Sequence, residues 1–203
     1  MKAQLITLEG IEGSGKSSNL GVINNYLEQK NLDFINTREP GASNLGKKLR
    51  SLLLDVSSDI SPEVEMLLML ADRKDHIETI ILPALNKNTW VVSDRYMDST
   101  IAYQGGGRKI NMDNILSISN VLKIPQPSLT ILFDLPVEIA LKRATERSSL
   151  DRFEREPVEF HQRIRDAYLE LARQEPERIK VIDSSKKPME VESQLLDVLK
   201  ENI

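Results

Sequence analysis

The chain has 203 residues, of which 40% are apolar and 29% charged, a composition that predicts a globular protein and argues against a disordered one. A formal net charge of −4 gives no basis for binding nucleic acid through a basic surface. Without cysteine, the chain has no disulfide, thiolate metal site or cysteine nucleophile. We find no signal peptide and no apolar run long enough for a bilayer, so we expect a cytoplasmic protein without a membrane partner.

Apolar runs typical of buried strands alternate with segments of helical periodicity. In chain order the predicted elements are strand 5–9, helix 16–29, strand 32–37, helix 44–54, helix 61–81, strand 90–92, helix 111–123, strand 129–133, helix 137–147, helix 158–173, strand 179–182 and helix 189–200. Pro83 is expected to bend or end the helix that starts at Ser61-Pro62. The alternation predicts a five-stranded parallel sheet with helices on both faces, a three-layer α/β fold. No linker or repeat interrupts the chain, so residues 1–203 are predicted to form a single domain.

The first strand leads into a segment that matches the phosphate-binding pattern G-x-x-x-x-G-K-[S/T]. In this pattern backbone N–H groups surround phosphate oxygens, the lysine reaches the outer phosphates, and the hydroxyl helps to hold Mg²⁺. Because a strand precedes the segment and a helix follows it, an incidental glycine-rich turn is the weaker explanation. The predicted phosphate site consists of Gly10, Ile11, Glu12, Gly13, Ser14, Gly15, Lys16, Ser17 and Ser18.

Glu12 is unusual within this loop, because a carboxylate among phosphate oxygens would be repelled by them. We therefore expect its side chain to point away from the nucleotide and towards the acceptor, where it would accept a hydrogen bond from a sugar hydroxyl. The alternative is an acid that faces solvent.

Two aspartates follow apolar strands and are candidates for the metal site. Asp94 is followed by Arg95, which places a phosphate-binding cation beside the acid. Asp134 is followed by Leu135-Pro136, which is typical of a strand-to-helix turn with the aspartate as a cap. We favour Asp94, together with Ser17, as the predicted magnesium ligands.

The phosphate loop alone does not separate a kinase from a GTPase switch or a motor. A GTPase is disfavoured, because no aspartate has a glycine three residues later and the one Asn-Lys pair, Asn86-Lys87, continues as Asn88-Thr89. Three arginines, at the ends of two strands and on a long helix, point instead to a second anionic substrate: Arg38, Arg73 and Arg95.

Beyond the phosphate loop, four segments carry a resemblance to a known family: 92–105 (VSDRYMDSTIAYQG), 38–41 (REPG), 49–54 (LRSLLL) and 150–152 (LDR). Together they resemble the thymidylate kinase family over nearly the whole chain. The resemblance implies a P-loop fold of the nucleoside-monophosphate-kinase type with a mobile lid at about 143–156, assembled as a homodimer. It also implies that ATP and Mg²⁺ are used to convert dTMP to dTDP.

The resemblance further implies roles for individual residues in dTMP binding. Arg95 would hold the dTMP phosphate, and Arg73 would contact a thymine carbonyl. Tyr103 would crowd the 2′ position of the sugar, and Glu12 would bond the 3′-hydroxyl. Thr100 and Gln104 would contact the remaining base edge. The other implied substrate-binding residues are Glu39, Arg50, Met69 and Ser99.

Met69 departs from the family pattern, which usually has an aromatic ring here to stack on thymine. A thioether contact orients the base less firmly, so weaker base selectivity is expected; plain core packing of Met69 is the alternative. For Arg73 the alternative is an ion pair with Glu65 or Asp75. Two other functions stay open: a related P-loop kinase with another base preference, and a non-catalytic nucleotide-binding module.

Several cations concentrate in the predicted lid, although charge runs are usually solvated. The resemblance assigns Arg147 and Arg152 to the ATP phosphates, because the phosphate loop itself contains no arginine. The acceptor phosphate is largely dianionic at neutral pH, so no general base is required. The predicted catalytic residues are therefore the charge-neutralising Lys16, Arg95, Arg147 and Arg152.

Overall fold

The computed structural model describes residues 2–147 and 150–203. Within them, five strands form one sheet, in the order β2-β3-β1-β4-β5 with every neighbouring pair parallel. The strands are β1 (Leu5–Glu9), β2 (Phe34–Arg38), β3 (Trp90–Asp94), β4 (Leu129–Asp134) and β5 (Ile179–Asp183). The predicted five-stranded parallel sheet is confirmed.

The helices cover both faces of this sheet. They are α1 (Lys16–Gln29), α2 (Asn44–Leu54), α3 (Pro62–His76), α4 (Leu82–Asn86), α5 (Met97–Thr100), α6 (Met112–Leu122), α7 (Val137–Arg147), α8 (Val158–Gln174) and α9 (Pro188–Asn202). Alternate strand residues point to opposite faces. On one face, Ile6 and Val92 pack with α1 and α9; on the other, Leu5 and Val91 pack with α3 and α6. The helix-sheet-helix arrangement predicted from the sequence is thus present.

Of the two outcomes predicted for the long third helix at Pro83, a bend or an end, the end was wrong. Ser61 caps α3 by accepting a hydrogen bond from the Val64 N–H, and the chain stays helical beyond Pro83. A π-helical turn, Ile77–Ile81, lies between α3 and α4. Its wider turn displaces the carbonyl that an α-helix would place against the proline ring, so the helix continues.

No element is predicted between the strand at 90–92 and the helix at 111–123, but the structure has a π-helical segment there, Ile101–Gly107, which continues α5. This segment packs against α8 and places Tyr103 and Gln104 beside the carboxyl ends of the strands. Strands β3, β4 and β5 each end on an aspartate at that edge, one or two residues beyond the predicted ends. Open α/β sheets bind their ligands at this edge.

Within the described residues, no helix combines the length and apolar character needed to cross a membrane.

Candidate active site

The phosphate loop connects β1 to α1 and has the backbone shape that its glycines allow. Gly13 has a φ of +73°, and a Cβ at this position would lie 2.2 Å from the carbonyl oxygen of Ala140 in α7. Inside the loop, Nζ of Lys16 donates hydrogen bonds to the carbonyl oxygens of Gly10 at 2.8 Å and Ile11 at 3.1 Å. The loop therefore holds its lysine at the centre of a phosphate-sized cradle.

Burial gives Lys16 an unusual protonation equilibrium. Its side chain is almost fully buried, and burial, together with the positive charge of Arg95, lowers the pKa of Lys16 to about 8. The carboxylates of Asp94 and Glu12 act in the opposite direction. A phosphate anion in the cradle would stabilise the charged form of this lysine.

Ser17 and Asp94 have the geometry expected for the predicted magnesium site. The Ser17 hydroxyl donates a hydrogen bond of 3.4 Å to Oδ2 of Asp94, and Oδ1 of Asp94 is buried with no partner among the described residues. An unsatisfied buried carboxylate oxygen next to a hydroxyl suits a hard cation whose other ligands are phosphate oxygens and water. Asp134, the rival candidate, is instead held by Arg165, which donates to both its oxygens at 2.7 and 2.9 Å.

The carboxylate of Glu12 contacts Arg95, the residue to which the resemblance assigns the dTMP phosphate, and its place beside the acceptor stays a prediction. Oε1 of Glu12 lies 2.7 Å from Nη2 of Arg95, and the Tyr103 hydroxyl donates to the same carboxylate. The Arg95 guanidinium also lies over the Tyr103 ring, 4.8 Å from its centroid. Burial alone would raise the pKa of Glu12, but the charges of Arg95 and Lys16 lower it below the ordinary value.

Glu9, at the end of β1, holds two hydroxyl groups that also contact Arg95. Its carboxylate is fully buried and accepts hydrogen bonds from the Tyr96 N–H at 2.8 Å, the Ser99 hydroxyl at 2.6 Å and the Tyr168 hydroxyl at 2.8 Å. Arg95 donates to the same two hydroxyls, at 3.2 and 3.4 Å. Burial raises the pKa of Glu9 to about 7.

Arg73 lies at the other end of the cleft, where the resemblance places the thymine base. It is 2% exposed, and it donates to Oε2 of Glu39 and to the Thr100 hydroxyl, both at 2.7 Å. Its ion-pair partner is thus Glu39 from the loop after β2, and not Glu65 or Asp75. The buried pair fixes the guanidinium against the base end of the cleft.

The phosphate loop lines one cleft of about 820 Å³ together with Arg73, Asp94, Arg95 and Tyr103. The predicted site residues along it are Glu12, Gly13, Ser14, Gly15, Lys16, Ser17, Ser18, Glu39, Arg50, Met69, Arg73, Asp94, Arg95, Ser99, Thr100, Tyr103 and Gln104. Gly10 and Ile11 lie just behind the lining as the carbonyl partners of Lys16. Met69 both lines the cleft and packs against the apolar cluster around Phe153, so its two proposed environments coexist.

The structure does not bring Arg152 into this cleft. Nη1 of Arg152 lies 2.8 Å from Oε2 of the buried Glu65, and its Nε donates to the Leu53 carbonyl at 2.8 Å. A role at the ATP phosphates stays a prediction, and it would require both contacts to open. The side chain of Arg147, the other predicted lid cation, lies outside the described part of the chain.

Known proteins resemble this chain over nearly its whole length. The family model described as thymidylate kinase matches residues 8–195. A thymidylate kinase from Carboxydothermus hydrogenoformans is 50% identical over 192 residues, which are 94% of each chain. The chain belongs to the thymidylate kinase family. The family and the enzyme class predicted from the sequence motifs are therefore confirmed.

Two further relatives agree with this assignment. A thymidylate kinase from Vesicomyosocius okutanii is 42% identical over 200 residues, 98% of each chain. The crystal structure of a thymidylate kinase from Ehrlichia chaffeensis has a TM-score of 0.79 and 30% identity, and the match covers 98% of this chain and 99% of that one. The predicted fold of the nucleoside-monophosphate-kinase type is confirmed by this likeness.

Sequence reasoning missed two acids of this thymidylate kinase family member, Glu9 and Glu65, and each had a usable signal. Glu9 ends a strand whose other residues are apolar or Thr, and a carboxylate there is buried only where donors meet it. Glu65 precedes Met69 by four positions and Arg73 by eight, a spacing that places all three along one helix face.

Arg143 and the loop after β5 line the far side of the cleft, near the phosphate loop. Arg143 donates a hydrogen bond of 3.1 Å to the Ser184 carbonyl in the loop after β5, and Pro188 and Val191 line the cleft beyond it. The Ser184 hydroxyl in turn donates to the Ser14 carbonyl of the phosphate loop. Their sequence is generic, and only the fold brings them to the site.

Proposed function

We propose that this member of the thymidylate kinase family transfers the γ-phosphoryl group of ATP to dTMP, with Mg²⁺, and releases ADP and dTDP. One observation carries the proposal: a single cleft joins the phosphate loop around Lys16, a second cationic position at Arg95 and a buried base-contacting arginine, Arg73. A nucleotide-binding module without a second substrate would have no use for Arg95 and Arg73.

Catalysis is proposed to rest on positioning and charge. The acceptor is a phosphate monoester whose second pKa is about 6, so it reaches the site ready to attack. Lys16 would hold the phosphates of the donor, and Arg95 the single phosphate of the acceptor, which brings two anions into line. Mg²⁺, held by Ser17 and Asp94, would supply positive charge to the donor phosphate oxygens. Arg147 is proposed to add a further cation from the lid.

Recognition of dTMP is proposed to follow the length of the cleft. Glu12 accepts a hydrogen bond from the 3′-hydroxyl, and Tyr103, held against it, leaves little room for a 2′-hydroxyl. Arg73, with Thr100 and Gln104, contacts the base. The residues that hold these groups in place are proposed to include Glu39, Arg50 and Ser99.

The adenine of ATP is proposed to lie against Arg143 and the loop after β5, on the side that faces the cleft. Their hydrogen bond closes this end of the cleft, and the apolar side chains of Pro188 and Val191 offer a surface for a purine. A flat guanidinium over a purine is a favourable stacking arrangement.

We further propose a cytoplasmic homodimer, with no nucleic-acid partner. Helices α3 and α6 present neighbouring apolar side chains to solvent, among them Leu67 at 51% and Val121 at 80% exposure. A groove between them is lined by the apolar Leu67, Leu70, Ala71, Ile118 and Leu122 and by the charged Lys74, Asp75 and Glu78. A second copy of this surface would cover the patch. Sedimentation of the wild type as a dimer, and of a Leu67→Glu variant as a monomer, would support this assembly; a monomeric wild type would refute it.

The activity is tested by measuring ADP release from ATP and Mg²⁺ with dTMP, dUMP, AMP, GMP, CMP and thymidine as acceptors. Turnover with dTMP well above every other acceptor supports the proposal, and a flat or silent panel refutes it. Highest turnover with a different acceptor would favour the rival kinase, which Met69 keeps open because a thioether orients the base less firmly than an aromatic ring.

A further inference from the structure

Glu65 is a buried acid beneath the base end of the cleft, and the cleft residue Gln104 is one of its partners. Glu65 lies on α3 with no exposed surface. Its Oε1 accepts a hydrogen bond of 2.8 Å from Nε2 of Gln104. Its Oε2 lies 3.0 Å from Nη2 of Arg108 and 2.8 Å from Nη1 of Arg152. Because two guanidinium groups pair with it, this carboxylate accepts hydrogen bonds and donates none.

This contact determines which way the Gln104 amide points. A glutamine side chain carries an NH₂ donor at one corner and a carbonyl acceptor at the other. The NH₂ group of Gln104 donates to Glu65, because a carboxylate has no hydrogen to donate to the Gln104 carbonyl. The carbonyl oxygen Oε1 of Gln104 makes no hydrogen bond within the described part of the chain, and Gln104 lines the cleft. Glu65 thus fixes the direction of one hydrogen-bond acceptor in the cleft, the Oε1 atom of Gln104.

Arg73, on the same helix face, contributes the complementary donor. Its Nε donates to Glu39 and its Nη1 to Thr100 and to the Met97 sulfur, while Nη2 donates once, to the Tyr96 carbonyl. The second N–H of Nη2 has no partner in the part of the chain that the structure describes, so it is left for a ligand. A donor beside an acceptor matches the O4 carbonyl and N3–H of thymine or uracil. It mismatches cytosine, which offers an amino group and a ring-nitrogen lone pair at those positions.

We propose that Glu65 is a positioning residue for base selection, which holds Gln104 with its carbonyl oxygen towards N3–H of the base. The inference rests on the proposed function and names the group that sets its selectivity. Glu65 itself touches no substrate. With the carboxylate replaced by an amide, Gln104 is free to turn and to present NH₂ to the base, so the preference for an N3–H donor is lost.

The test compares dTMP with 5-methyl-dCMP, which has a lone pair at N3 in place of N–H, through the ratio of kcat/KM for the two acceptors. The loss of one neutral hydrogen bond corresponds to at least about tenfold in this ratio in the wild type. We expect the ratio to fall at least about threefold in Glu65→Gln, where NH₂ of Gln104 can turn to the ring nitrogen, and in Gln104→Met, mainly through KM for dTMP. A ratio that stays at the wild-type value in either variant would overturn the proposal.

Glu156→Gln is the matched control, because Glu156 lies 2.5 Å from Nη1 of Arg108 in the same cluster but does not touch Gln104. It should keep the wild-type ratio, and a fall there as large as in Glu65→Gln would show general damage and overturn the inference. If Glu65→Gln does not fold, the double variant Glu65→Gln/Gln104→Glu exchanges the two side chains and keeps one carboxylate in the cluster. The carboxylate at position 104 can only accept a hydrogen bond from N3–H, so the ratio of kcat/KM should stay at the wild-type value. A lower ratio in the double variant would contradict the proposal. A wild type inactive on dTMP would refute the proposed function instead.

Discussion

Glu12 and Arg95 meet across the cleft at 2.7 Å, and so join the phosphate loop to the end of β3. The pair explains how a loop that binds anions carries a carboxylate: Arg95 and Lys16 both stabilise its ionised form. It also leaves the carboxylate on the acceptor side, where a sugar hydroxyl can donate to it. Tyr103, which donates to the same carboxylate, fixes its direction.

We expect Glu12→Gln to reduce discrimination between dTMP and its 3′-deoxy analogue. A hydrogen bond to a charged acceptor is worth about 1.5–3 kcal/mol and one to a neutral acceptor about 1 kcal/mol, so the ratio of kcat/KM for the two should fall about tenfold. Steady-state kinetics with both acceptors measures it. Asp55→Asn is a change of the same kind at an exposed aspartate whose side chain, among the described residues, bonds only to Ser57, and it should leave the ratio unaltered. An unchanged ratio in Glu12→Gln would rule out the 3′-hydroxyl contact.

The phosphate loop should tolerate no side chain at Gly13. A Cβ there would lie 2.2 Å from the Ala140 carbonyl, and the φ of +73° is unfavourable for alanine as well. We expect Gly13→Ala to weaken ATP binding at least about tenfold by distorting the loop. Gly21→Ala is the control, because its Cβ would meet nothing within 4 Å on α1. It should bind ATP normally and be stabilised by up to about 1 kcal/mol. Calorimetric titration with ATP and thermal unfolding check both, and normal binding by Gly13→Ala would contradict the argument.

The pattern of apolar residues was sufficient to predict the sheet, because each strand is a buried run and a mistake of two residues at its end changes little. The two π-helical segments were not predicted. The first segment accommodates the ring of Pro83, which follows it in the chain, and the second packs against α8. The spacing of apolar residues does not distinguish a π-helical turn from an α-helical one.

Ion pairs between residues distant in sequence could not be predicted either. From the sequence, Glu65 and Asp75 were the candidate partners of Arg73, because they lie near it on the helix. The structure instead pairs Arg73 with Glu39, 34 positions away. Sequence motifs identified which residues line the cleft, since a family resemblance carries positions. The supporting acids Glu9 and Glu65 stand outside those motifs, and only the packed structure shows which donors they meet.

Stability should depend on pH through Glu9. Burial and the nearby charge of Asp98 raise its pKa from 4.5 to about 7, so the folded state holds this proton more tightly than the unfolded state. The stabilisation it gives is complete below about pH 4.5 and is lost as the pH rises through about 7. We expect Glu9→Gln, which cannot ionise, to lose less unfolding free energy than the wild type between pH 5 and pH 8.

Denaturant titrations at the two pH values measure this difference, with Glu201→Gln, at an exposed acid of α9, as the control that should behave like the wild type. An identical loss in wild type and Glu9→Gln would show that Glu9 does not bind the proton.

Two roles are possible for Arg152, one at ATP and one at Glu65, and steady-state kinetics can distinguish them. An arginine that closes onto ATP contributes to turnover, and its removal costs about a hundredfold or more in kcat by analogy with arginine fingers. An arginine that pairs with Glu65 acts on Gln104, and its removal raises KM for dTMP and lowers the melting temperature. The first role is the one predicted from the sequence, and it requires the contacts of Arg152 with Glu65 and the Leu53 carbonyl to open. We therefore expect Arg152→Ala to lose about a hundredfold or more in kcat, with a smaller effect on KM for dTMP. A kcat within about threefold of the wild type, with a raised KM and a lower melting temperature, would assign Arg152 to the second role instead.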